Sequence, residues 1–68
     1  LTQFYVYNCQ IAQAEMENII YKLWNIRSYL GSNMCNIQLQ NNPGSAAAAS
    51  SMATEIADLV TAGCTVAI

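Results

Sequence analysis

Three cysteines and four carboxylates are the reactive side chains from which this sequence could build a chemical centre, and there is no histidine. The missing imidazole removes the commonest general acid/base, the commonest metal ligand and every Ser-His-Asp or Cys-His arrangement within the chain. Cys9, Cys35 and Cys64 are too far apart in sequence for a Cys-x-x-Cys redox or zinc pattern. Glu15 and Glu17 are two residues apart, so a helix would point them to different sides. Glu55 and Asp58 are three apart and share a helical face, but no ligand set accompanies them, so they read as a solvated face. No catalytic, cofactor-binding or metal-binding residue emerges, and no cofactor is implied. The sequence is expected not to be an enzyme.

Charge narrows the partners. Lys22 and Arg27 are the only cations, and net charge is −2. Two cations cannot neutralise a run of phosphates, which argues against nucleic acid. Gly31, Gly44 and Gly63 lie far apart, so no phosphate-cradling loop is present. A membrane span is also not expected, because polar residues interrupt every apolar stretch well short of ~18 residues.

In a small chain the cysteines favour a disulfide, hence an oxidising compartment and a secreted protein. Leu1 in place of an initiator methionine is what signal-peptide removal or fragmentation would leave. An odd cysteine is left over.

The elements that must position these residues are read from periodicity. Tyr5, Cys9, Ala12, Met16, Ile19, Leu23, Ile26 and Leu30 recur at alternating steps of four and three, with Ile20 and Trp24 as a shoulder. This spacing predicts a long helix over about residues 2–30, stopped by Gly31. Phe4-Tyr5-Val6-Tyr7 has strand propensity, but no partner strand is evident, which favours helix. Asn36 to Gln40 alternates polar and apolar, as an extended segment or a single helical turn. Asn41-Asn42-Pro43-Gly44 is a turn signature. Ala49, Met52, Ile56 and Leu59 predict a second helix over about 45–62, with Ser45 as N-cap and Gly63 as stop. The expected fold is all-α: one small domain, residues 1–68, forming a disulfide-stapled antiparallel helical hairpin packed into a dimer or larger helical assembly. Equal helix lengths from the turn would bring Cys9 opposite Cys64. A bridge there would contribute ~4 kcal/mol in the chain-entropy model. Cys35 would remain at the opposite pole as an interchain or free thiol.

With 68 residues, 54% of them hydrophobic and 9% charged, the hairpin would leave apolar flanks uncovered. The expected partner is another copy or another chain. The first functional expectation is a secreted structural, self-assembling protein that works through helix packing and disulfides. The alternative is a secreted carrier of an apolar small molecule, lipid or pheromone-like, enclosed by a disulfide-linked dimer. Met16, Ile19, Leu23, Trp24, Met52, Ile56 and Leu59 would form the interface or the ligand lining. In size and cysteine placement alone, this arrangement resembles the secretoglobins.

Overall fold

A computed structural model describes all 68 residues. The chain runs β1 (Gln3–Tyr5), α1 (Gln13–Asn25), α2 (Arg27–Ser32), β2 (Asn36–Gln38), α3 (Ser45–Ser51), α4 (Ala53–Ala62) and β3 (Thr65–Ala67). The strands form one parallel sheet in the order β1-β2-β3. Parallel neighbours need a long crossover, and here each crossover is a pair of helices. The fold is therefore α/β, and the all-α hairpin is corrected.

A repeat underlies this topology. Phe4 lies opposite Ile37, and Ile37 opposite Val66, so the chain returns to the sheet after 33 and then 29 residues. Backbone punctuation returns with it. Asn8 and Asn41 both take left-handed conformations after their strands, and Met34 and Gly63 do so before theirs. The turns into β2 and β3 also match: the Cys35 N–H donates to Leu30 O at 3.1 Å, and the Cys64 N–H to Leu59 O at 3.0 Å. Each unit cannot bury its apolar side alone, and stacking the units makes a shared core.

The long helix expected over 2–30 fails at its start for a local reason. Asn8 and Gln10 have φ of 58° and 59°, which no right-handed helix accommodates. Tyr5 and Cys9, counted into the helical seam, instead belong to a strand and a loop. From Met16 the periodicity is helical: Met16, Ile20 and Leu23 bury one face of α1. The helical run then breaks at Ile26 (φ −112°, ψ 25°), and the second run breaks at Met52 with nearly the same geometry (φ −111°, ψ 26°). Gly44 rather than Ser45 precedes α3, while Gly63 does end α4, as its position predicted.

The core lies between the sheet and the helices. Its buried apolar side chains include Met16, Ile20, Leu23, Leu30, Ile37, Leu39, Ala48 and Leu59. Close backbone approach draws the helices together. A β-carbon on Gly31 would stand 2.0 Å from Ala62 O, so α2 and α4 meet almost backbone to backbone. No helix is long and apolar enough to cross a membrane.

Candidate functional site

The sheet itself separates the residues that pack from those that can work. Strand side chains alternate between faces. Phe4, Val6, Ile37, Leu39, Val66 and Ile68 turn toward the helices. Gln3, Tyr5, Tyr7, Asn36, Gln38, Gln40, Thr65 and Ala67 occupy the opposite face, which no element covers. All-parallel sheets outside repeat architectures are usually covered on both faces, so this open face is itself informative. It carries no formal charge, because none of its residues is ionised at neutral pH.

A directed chain of hydrogen bonds crosses it. Gln40 Nε2 donates to Gln38 Oε1 at 2.7 Å, and Gln38 Nε2 donates to Asn36 Oδ1 at 2.8 Å. Asn36 Nδ2 in turn donates to the Tyr5 hydroxyl at 3.1 Å, across to β1. At the head of this relay Gln40 Oε1 is buried and accepts nothing. Such an acceptor carries an unpaid desolvation cost. Beside the relay, the rings of Tyr5 and Tyr7 lie 6.0 Å apart at a 48° tilt, each 45% exposed. The face thus combines two amphipathic aromatic surfaces with one orphaned acceptor.

Asn42 holds the loop that frames this face. Its Oδ1 accepts the N–H groups of Cys9 (2.8 Å) and Ile11 (3.2 Å). Its Nδ2 donates to the carbonyls of Val6 (2.9 Å), Leu39 (3.0 Å) and Gln40 (3.3 Å). Ser45 Oγ completes the knot, donating to Leu39 O at 2.7 Å and accepting the Asn42 N–H at 3.2 Å. One buried amide therefore ties the loop after β2 to the loop after β1. By the sheet register, Cys9 is the position in the first unit that corresponds to Asn42 in the second.

The cysteines do not meet as expected. Cys9 follows β1 and Cys64 precedes β3, so they sit at opposite ends of strands that β2 separates. All three cysteines are free, which overturns the Cys9–Cys64 staple. Cys35 is a free thiol and is buried rather than at an exposed pole. Burial raises the pKa of the Cys35 thiol. It also raises that of Cys64, which the neighbouring Cys35 raises further. Both therefore stay protonated at neutral pH, and the stability this gives is lost as pH climbs past the unfolded thiol value of ~8.5. Since thiolate and access both govern reactivity, a maleimide at pH 7.5 is expected to modify Cys9 rapidly in the native chain. Cys35 and Cys64 should react only after denaturant is added. Mass spectrometry of a labelling time course reads the count, and three equally fast sites would contradict the burial.

The residues expected to line an interface or ligand cavity divide between core and helix surface. Met16, Leu23 and Leu59 are core residues, and Ile19, Met52 and Ile56 pack beside them, partly buried. Trp24 joins a surface cluster instead. Its indole Nε1 donates to Asp58 Oδ2 at 2.9 Å, Tyr21 stacks on it at 5.9 Å, and the Arg27 guanidinium carbon sits 4.3 Å from the ring centre. This cluster clamps α1 to α4 and uses Asp58, one of the two carboxylates assigned to a solvated face. On the other side of α1, Glu17 accepts from the Ser51 hydroxyl and from Gln13 Nε2. These bonds, Ser51 first, hold its carboxyl below its ordinary pKa.

No group of three Cys, Asp or Glu residues comes together in a way that could hold a metal ion, and the chain encloses no pocket. No family model, curated protein or solved structure matches the chain. The uncovered face and Asn42 are the features that helical periodicity hides. The signal that exposes them is the internal one: Phe4-x-Val6-x-x-Cys9 and Ile37-x-Leu39-x-x-Asn42 share one spacing.

Proposed function

We propose that this chain is a non-catalytic recognition module whose working surface is the uncovered sheet face, and that its partner is a protein. The observation that carries the reading is Gln40 Oε1, a buried acceptor without a donor at the end of the amide relay, beside two half-exposed tyrosines. A partner that places an N–H over Gln40 and apolar surface on Tyr5 and Tyr7 would satisfy both. Tyrosine suits the task because it supplies a large amphipathic contact at low entropic cost. The neutral face favours an uncharged patch on the partner.

The repeat supports the same reading. Leu1-x-x-Phe4-x-Val6-x-x-Cys9-x-Ile11 follows the spacing L-x-x-L-x-L-x-x-N/C-x-L of leucine-rich repeats, solenoids that present a sheet surface to their partners. Met34-x-x-Ile37-x-Leu39-x-x-Asn42 follows it again, with Gly44 at the last apolar position. Two departures are plain: Met34 is 77% exposed, and the first step of 33 residues exceeds the usual length of such repeats. The carrier reading has less behind it, since Met16, Leu23 and Leu59 fill the chain's own core.

Selection of binders from a random peptide display library tests this reading, because it reports which surface accepts a ligand. The expected binders lose about tenfold or more in affinity on Tyr5→Ala or Tyr7→Ala, and little on Ser28→Ala. Binders indifferent to both tyrosine substitutions would refute it.

A further inference from the structure

We propose that copies of this chain stack head to tail, the free edge of β3 in one copy pairing in parallel with the free edge of β1 in the next.

The first ground is that both ends of the stack are unfinished. The inward residues of the middle strand, Ile37 and Leu39, are fully buried. Their counterparts Phe4 and Val6 on one side, and Val66 and Ile68 on the other, are only partly buried. A terminal unit of a repeat array ordinarily presents a polar outer face, and neither end here does so.

The second ground is the state of the two edges. On β1, Thr2 O accepts from the Asn36 N–H, and Val6 N–H donates to Gln38 O. Alternation therefore turns the main-chain groups of Gln3 and Tyr5 outward, unpaired. On β3, Thr65 N–H donates to Cys35 O, and Ala67 O accepts from the Leu39 N–H, which leaves the groups of Val66 outward. Exposed edges are usually protected by lysine, proline or a bulge. Neither Gln3–Tyr5 nor Thr65–Ala67 contains a charge or a proline.

The third ground is complementarity. The β2–β3 contact already joins the trailing side of one unit to the leading side of the next, in parallel. A β3–β1 contact between copies continues that same step, so the occupant that matches each end is the other end of this chain. The joint is heterologous, and the assembly it builds is open and linear. It uses the strand edges and leaves the tyrosine face free, so it stands or falls separately from the recognition reading.

Sedimentation velocity over a concentration series, with amide hydrogen exchange on the same samples, tests the proposal. The full chain should sediment faster as concentration rises. The amides of Tyr5 and Val66 should gain protection over the same range. Gln3→Pro removes one outward N–H and leaves the internal ladder intact, so it should weaken association about tenfold. If that variant fails to fold, the exchange pattern of the parent chain decides. A monomer at every concentration would overturn the proposal. So would association that leaves the Tyr5 and Val66 amides exchanging freely, or that Gln3→Pro leaves unchanged.

Discussion

Asn42→Leu is expected to destabilise the chain by about 3 kcal/mol or more, enough to bring a domain of this size close to unfolding. Leucine matches asparagine roughly in volume, so the loss is one of hydrogen bonding. Removing Oδ1 strands the N–H groups of Cys9 and Ile11, and removing Nδ2 strands carbonyls of Val6, Leu39 and Gln40. Each buried group left unpaired costs on the order of 1–3 kcal/mol, and water entering the loop recovers part of the sum. Urea unfolding followed by the fluorescence of Trp24, the single tryptophan, measures the change. The matching position in the first unit provides the contrast. Cys9 is exposed, and its thiol donates only to Tyr7 O at 3.2 Å, so Cys9→Ala should shift stability by under ~0.5 kcal/mol. Equal costs at the two positions would mean that Asn42 does not knot the loops.

Gly31→Ala should be nearly as damaging, at about 2–3 kcal/mol, although alanine is the better helix former. The added methyl would stand 2.0 Å from Ala62 O and 2.5 Å from its carbonyl carbon. Both are backbone atoms and cannot rotate away, so α2 and α4 must separate. Gly63 sits on the other side of the same contact, with φ of 123°. The spreading therefore reaches the turn that feeds β3. Thermal unfolding by circular dichroism reads the effect, expected as a drop of roughly 10–20 °C for a domain this small. A Gly31→Ala variant as stable as the parent would refute the close approach of these helices.

These two residues also explain how far the sequence was readable. Met16, Ile20 and Leu23 declared a helix because its apolar face is buried in the usual way, and Gly63 declared its stop. The strands were harder. Each has three residues, too few for alternation to outweigh a helical seam running through Tyr5 and Cys9. Phe4-Tyr5-Val6-Tyr7 did show strand propensity, and the objection was the absence of a partner. That partner was present in Ile37-Gln38-Leu39 and Val66-Ala67-Ile68, but parallel pairing places it 29–33 residues away, beyond the reach of local pattern. The cysteines misled for a related reason. Folding a hairpin makes chain ends meet, whereas parallel strands carry Cys9 and Cys64 to opposite ends of the sheet. The tyrosine face could not be seen until the register was known, because its residues come from three separate strands.

The central claim is that residues 3–5, 36–38 and 65–67 form one parallel sheet built by a repeated unit. Nuclear Overhauser contacts between backbone protons of a labelled sample test it most directly. Ile37 should show interstrand contacts to both Phe4 and Val66, and the stretch from Thr2 to Ala12 should lack sequential helical contacts. A continuous helical pattern from Thr2 to Leu30, with no contact between Ile37 and either strand, would contradict the account.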